Sequence, residues 1–318
     1  MRLFIKRMKI FRDLSTVLPS AYRKSIATIG IFDGVHIGHQ AVLGRVIRRA
    51  RRLGEKSLVI TFDPHPAVIL NPRNAPPMIM SVAHRLRILE GIGFDICWVM
   101  HFTKQMAQKE AWQFVRDFLV AKLGISEIWV GKEFRFGRIN LGTVELLRVL
   151  GKRYGFSVYQ ITPIQSGKQK ISSTEIRRLI EKGKLSKARR LLGRPVSILG
   201  TVIHGESLGG KIGFPTANLD PHHEAIPPRG VYTVRVVLDG KCYRGVVNIG
   251  IRPTIKRKRK QEITIEAHLI DFSGNLYGKD IELLFVKKLR NEKKFHSLKM
   301  LACQIQRDIQ KAKQILKR

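Results

Sequence analysis

An open α/β domain with a parallel sheet, followed by a small closed antiparallel β-barrel and a terminal helix, is the fold class the sequence predicts. Three observations carry that expectation. Through residue 161, β-branched apolar runs of strand length alternate with helically spaced apolar residues, the pattern of right-handed crossovers building a parallel sheet. From Pro195 onward the pattern changes to period two, with tight turns between strands. At the end of the chain Leu298, Leu301, Ala302, Ile305, Ile309 and Ile315 fall on one helical stripe.

Taken in order, the first strand is "SIATIGIF", and a helix over 37–53 follows it with Val42, Leu43, Val46, Ile47 and Ala50 at helical spacing. "SLVITF", "DICWVMHF", "EIWVG" and "FSVYQI" are the next strands, separated by helical patterns near 81–91, 106–123 and 141–154. Two short helices, "SSTEIRRLIEKG" and "LSKARRLLG", close this half, and the change of period sets the domains at 1–186 and 187–318. In the second domain "VSILGTVIHG" opens the barrel. "GVYTVRVVLDGKCYRGVVNIG" is a hairpin with Asp239 and Gly240 at its tip, a dipeptide suited to positive φ in a two-residue turn. "QEITIEAHLIDF" and "DIELLFVKKL" pair around "SGNLYGK", and the terminal helix is expected to pack on the barrel.

At 318 residues the chain exceeds the usual size of one domain, so two cores are expected. Fifty-nine Lys and Arg against twenty-four Asp and Glu give a net charge of +35, a balance that attracts nucleic acid, anionic membrane or phosphorylated small molecules. The basic residues are spread along the chain apart from "RVIRRARR" and "IKRKRKQ", whereas a dedicated nucleic-acid binder concentrates them among aromatics. No specific nucleic-acid partner is therefore expected. Cys97, Cys242 and Cys303 are odd in number and lack the paired spacing of a disulfide framework or a zinc site, which points to a reducing compartment. The opening "MRLFIKRMKIF" has no sustained apolar region and no stretch is long enough to span a bilayer, so a cytoplasmic protein without a membrane partner is expected. The oligomeric state is left open.

The stretch "IGIFDGVHIGHQAVL", residues 29–43, is a strand-to-helix turn with more glycine and charge chemistry than a connection requires. His36 and His39 stand three apart where the helix begins, close to its amides and positive dipole end, a place suited to polyphosphate. An isolated H-x-x-H would read as one capping and one packed histidine. Gly34 and Gly38 favour the ligand site, because glycine lets backbone approach a ligand closely, and Asp33 adds a carboxylate that could orient the loop or a metal-bound nucleotide. In "KISSTEIRR", Ser172 and Glu175 have capping-box spacing and Arg177 lies one turn inside the helix. The pair of segments resembles the signature motifs of H-x-G-H nucleotidyltransferases, a Rossmann-like class in which the histidines and a serine-and-arginine segment grip the triphosphate of ATP.

The match narrows further. "FDGVHIGH", "TFDPHP", "VGKEFRFG" and "ISSTEIR", then "LLGRP", "IGFPTANL", "NIGIRPT", "IEAHLIDF" and "YGKDIELLFVKKLRNEKKF", occur in the order seen in bacterial bifunctional riboflavin kinase/FAD synthetases. The resemblance covers nearly the whole chain and implies that the first domain adenylylates FMN to FAD and the second phosphorylates riboflavin to FMN, both with ATP and Mg2+. In the first domain it implies that His36, His39, Ser173 and Arg177 stabilise charge on the phosphates. Ligand contacts are implied at Phe32, Asp33, Gly34, Gly38, Asp63, Glu133 and Lys170. In the second it implies that Thr216 and Asn218 of "PTAN" hold the metal, with ligand contacts from Gly205, Lys211, Gly213, Pro215, Asn248 and Arg290.

Glu266 would be the base that takes the proton of the ribityl 5′-hydroxyl. Alternation puts Ile263, Ile265, Ala267 and Leu269 on one strand face and Glu266 on the other with Thr264 and His268, which by spacing alone also describes a solvated carboxylate. "GESLGGK", residues 205–211, satisfies the first seven positions of a Walker A loop, but Ile212 cannot supply the magnesium-binding hydroxyl and Pro215 disfavours the helix that should follow. The family commonly has arginines where this loop has Leu208 and Gly210, and Lys211 is the candidate replacement.

Overall fold

In the computed structural model, residues 7–12, 19–161, 165–166, 169–204, 213–222, 224–252 and 262–317 are described. The chain forms two compact units, one of residues 1–76 and 82–173, the other of residues 77–81 and 174–318.

The first unit is a six-stranded, wholly parallel sheet built from β1 (Lys9–Phe11), β2 (Ser25–Ile29), β3 (Lys56–Asp63), β4 (Ile96–His101), β5 (Ile125–Gly131) and β6 (Ser157–Ile161), in the order β1-β4-β3-β2-β5-β6. The crossovers carry α1 (Ile37–Leu53), α2 (Pro66–Leu70), α3 (Val82–Ile92), α4 (Lys104–Ala107), α5 (Ala111–Phe114) and α6 (Val144–Tyr154). β2 is buried along its whole length and β3 through Ser57–Thr61, because both faces of the sheet are covered. α1 buries Leu43, Val46, Ile47 and Ala50, the spacing expected of it, and ends at Gly54 with φ 65°. Strand order reverses between β2 and β5. In an open α/β sheet that reversal opens a crevice at the carboxyl ends of the strands.

Several features of this unit, α2 among them, were not expected. β1 is a short edge strand paired in parallel with β4, too brief to show a period. The single helix expected over 106–123 is instead α4, α5 and a π-helix over Val115–Lys122, because Glu110 and Gln113 form a capping box that starts a new helix. The π-helix ends with the Leu123 N–H bonded to the Phe118 carbonyl at 2.9 Å, and it buries Val115, Phe118 and Leu119 against the sheet core of Trp98, Met100 and Ile128. A two-stranded ribbon, β7 (Gln165–Ser166) and β8 (Gln169–Lys170), precedes α7 (Ser173–Glu181), which starts in the first unit.

After α8 (Leu185–Leu192) the second unit closes a six-stranded antiparallel barrel: β9 (Ser197–Ile203), β10 (Ala217–Asp220), β11 (Gly230–Leu238), β12 (Lys241–Arg252), β13 (Glu262–Leu269) and β14 (Asp280–Arg290). β10, at "ANLD", is the strand the sequence pattern did not reveal. Inward-facing Ile198, Leu219, Val234, Val247, Ile265 and Leu283 fill the barrel, so its interior is a packed core and not a channel. The β11–β12 turn has Asp239 at φ 48° and Gly240 at φ 75°, as the dipeptide predicts. The last helix, α9 (Leu298–Leu316), packs Ile309 and Ala312 on the outer barrel face against Val231, Val246 and Ile270. Among the described residues, no helix is long and apolar enough to cross a membrane.

Candidate active sites

The first site sits where β2 ends. Beyond the last ladder bond, from Gly30 N–H to the Ile60 carbonyl, the chain turns through Phe32 (φ 52°), Gly34 (φ 82°) and Val35 (φ 35°) before α1 begins. Left-handed backbone is costly for a β-branched valine, so the turn persists only because its surroundings hold it. The holding bonds come from several elements. Val35 N–H reaches the Phe32 carbonyl, Gln40 Nε2 donates to the Val35 carbonyl at 2.8 Å, and Ser173 Oγ donates to the Asp33 carbonyl at 2.8 Å.

His36 is the cap of α1. Its Nδ1 accepts the His39 N–H at 3.2 Å, which places the ring proton on Nε2 as a donor. His39 stacks on it at 3.6 Å with Phe32 edge-on to His39 at 5.3 Å. A Cβ at Gly38 would lie 3.2 Å from the His36 ring, so a side chain there would press the ring out of place by a few tenths of an ångström. The capping reading of H-x-x-H holds at His36, whose Nδ1 caps the helix and whose other ring nitrogen is a donor.

Asp33 is 3% exposed, and beneath the loop lies Arg85, 1% exposed, whose charge burial pulls below the ordinary guanidinium range while Asp33 opposes that shift. Asp63, at the end of β3, is half-exposed and paired with Arg12 at 3.3 Å, and its carbonyl meets His101 Nδ1 at the end of β4. Glu133 is exposed in the turn after β5. Ser173 therefore joins Asp33 and the histidine loop. Arg177 belongs to the second unit, where it is 9% exposed and its Nε donates to the Pro77 carbonyl at 2.6 Å. The Lys170 side chain lies outside the described residues.

The second site is on the outside of the barrel. Asn218 on β10 pairs with Glu266 on β13, Glu266 with Asn248 on β12, Asn248 with Val231 on β11, and Val231 with Arg290 on β14. Directly opposed residues of neighbouring strands share a face, so these five form a continuous belt. All five line one cavity of about 580 Å³ between the barrel wall and α9, together with Thr216, one turn of the pleat from Asn218. The volume is in the range of small-molecule sites. Glu266 is half-buried there, and Ile265 and Ala267 on either side of it point into the core, as alternation required.

His268 Nδ1 meets the Pro215 carbonyl at 2.8 Å and ties the "FPTAN" segment to β13. Gly213 has φ 84°. At Gly250 an added Cβ would fall 2.6 Å from Glu292 Oε1, so glycine admits a further carboxylate beside Asn248. Gly205 and Lys211 lie outside the described residues.

Arg290 does more than line the cavity. Its Nε donates to Asp308 Oδ2 at 2.8 Å, Gln304 Nε2 donates to Asp308 Oδ1 at 3.0 Å, and Phe295 lies 5.7 Å from the guanidinium. Asp308 is 2% exposed. Sequence reasoning missed it, although an acid inside the apolar stripe Ile305, Ile309 and Ala312 was a legible signal. Among the described residues, no three His, Cys, Asp or Glu converge to hold a metal.

A parallel α/β unit with two histidines at a helix start, followed by a barrel with a carboxylate facing a wall cavity, is the architecture of a two-part transferase. Residues 18–175 match the FAD synthetase family model and residues 192–316 the riboflavin kinase model. The bifunctional riboflavin kinase/FMN adenylyltransferase of Pseudomonas fluorescens is 37% identical over 96% of this chain and 97% of its own. That of Haemophilus influenzae is 39% identical over 90% and 92%. A crystal structure from Streptococcus pneumoniae, described as a macrolide-efflux protein, superposes with a TM-score of 0.81 at 28% identity, covering 96% of this chain and 99% of that one. The chain belongs to the family of bifunctional riboflavin kinase/FMN adenylyltransferases, and its function is flavin cofactor biosynthesis.

Proposed function

We propose that both activities draw on ATP with Mg2+, in the cytoplasm and with no specific nucleic-acid partner, and that the functional domains divide at 186/187. In the first, an oxygen of the FMN phosphate attacks the α-phosphorus of ATP, the bond to the β-phosphate oxygen breaks, and pyrophosphate leaves. No covalent intermediate is needed. Catalysis then rests on positioning and on stabilising charge as it develops. The Nε2–H of His36, with His39 and the amides at the start of α1, is suited to that task, and Ser173 fixes the loop through Asp33. Arg177 and Lys170 would supply further positive charge, with Phe32, Asp63 and Glu133 contacting flavin or nucleotide.

In the second, Glu266 takes the proton of the ribityl 5′-hydroxyl as that oxygen bonds to the γ-phosphorus and ADP leaves. The Thr216 hydroxyl and Asn218 amide face the cavity as hard oxygen donors, a set that suits Mg2+ completed by phosphates and water. Bound magnesium would neutralise phosphate charge. Asn248 and Arg290 orient the substrate. The observation that carries this reading is the belt, which aligns Asn218, Glu266 and Asn248 across three strands on a single cavity.

Exchange of Glu266 for Gln keeps shape and a hydrogen bond but cannot accept the proton. Riboflavin phosphorylation should fall about 100- to 10,000-fold with binding retained and FMN adenylylation spared. His36→Ala with His39→Ala should give the opposite split. Near wild-type phosphorylation by Glu266→Gln, measured by chromatographic resolution of FMN and FAD, would remove Glu266 as the base.

A further inference from the structure

Arg85 is one of the largest fully buried side chains in the protein, and nothing in the transfer chemistry above uses it. It projects from α3 to the carboxyl ends of β2 and β3, where the strands separate. There Nη1 donates to the Ile31 carbonyl at 2.7 Å and to Thr61 Oγ1 at 2.7 Å, with the Phe62 carbonyl at 3.4 Å. Thr61 Oγ1 itself donates to the Ile31 carbonyl at 3.1 Å. Arg85 Nε is buried without a hydrogen-bond partner among the described residues.

A buried guanidinium that spends its bonds on carbonyls and a hydroxyl is a poor device for stability, since an apolar side chain of similar volume is often as good or better at such a site. Its contacts are instead concentrated on one place. Ile31 immediately precedes the left-handed run through Phe32, Gly34 and Val35 that delivers His36 to the start of α1.

We infer that Arg85 is a positioning residue for FMN adenylylation: through the Ile31 carbonyl and Thr61 it holds the strained 32–35 turn, and through that turn the His36 and His39 rings. This rests on the assignment of the histidine loop to nucleotide binding. Asp33 also attracts the Arg85 charge, and its backbone carbonyl accepts the Ser173 hydroxyl.

The test uses the full-length enzyme with both activities measured on each variant. Arg85→Met should keep its thermal midpoint and riboflavin phosphorylation while the kcat of adenylylation falls about 100-fold, the cost of a small misplacement of reacting groups. Arg85→Lys, whose ammonium can reach Thr61 and Ile31, should recover at least tenfold of that loss. Thr61→Val, an isostere lacking the bridging hydroxyl, should lower the same kcat while phosphorylation stands, and it decides the matter if Arg85→Met does not fold. Adenylylation within threefold of wild type in Arg85→Met or Thr61→Val, or no recovery by Arg85→Lys, would overturn the role of Arg85. A His36→Ala variant separates the two layers: if it adenylylates FMN normally the loop assignment fails, whereas a defect there with none in Arg85→Met removes Arg85 alone.

Discussion

Replacing Asp308 by Leu leaves Arg290 at the rim of the kinase cavity without its carboxylate. The two side chains are 3% and 16% exposed in their pair, so the arginine keeps only partial access to water, and its remaining contacts among the described residues include the Asn291 carbonyl and the Phe295 ring. Removing one partner of a buried pair costs about 3 to 5 kcal/mol, and the residual exposure of Arg290 places this case near the lower end. With a urea dependence of about 1.5 kcal/mol per molar for a domain of this size, the midpoint should drop by about 2 M. The protein offers a clean assay, because Trp98, Trp112 and Trp129 are its three tryptophans and all lie in the first unit. Far-ultraviolet dichroism should therefore register an earlier transition, while tryptophan fluorescence reports the first unit separately. Arg290→Met combined with Asp308→Leu should restore most of the lost stability, since an apolar pair removes both charges together. An unmoved dichroism transition would refute the reasoning that the pair fastens α9 to the barrel.

Burial pushes the Cys97 thiol up to about 12, while Cys242 and Cys303 are exposed, so alkylation of the native protein at pH 8 should add two labels by mass and a third only after denaturation. A fragment of residues 187–318 should phosphorylate riboflavin, but it lacks the Ser81 N–H that donates to buried Glu224 Oε1 at 2.8 Å, and should be about 1 to 3 kcal/mol less stable than the same unit in the full chain, measured by urea unfolding.

The face of Glu266 was legible from strand alternation alone, since Ile265 and Ala267 had to be inside. The histidine loop was legible for a different reason: glycines between a strand and a helix are informative wherever they occur. What the pattern concealed was either too short to carry a period or assembled from distant parts. β1 and β10 have three and four residues, and β10 follows directly on the proline-containing "FPT" segment. The π-helix preserves an apolar stripe, so composition could not distinguish it from a longer α-helix. Arg85 reads as an ordinary cation between His84 and Leu86 on an amphipathic helix, and only the convergence of β2, β3 and α3 shows it buried. The location of the cavity outside the barrel was equally hidden, because its second wall is a helix from the far end of the chain.

If the belt on the barrel wall carries the phosphoryl transfer proposed for it, that chemistry is a matter of parity. Each member reaches the cavity because it occupies the correct odd or even place on its strand, and Glu266 has apolar neighbours on both sides. Loss or gain of one residue within β13 would present Ile265 or Ala267 to the cavity and turn the carboxylate into the core, so a small deletion there should abolish riboflavin phosphorylation outright where many substitutions would only weaken it.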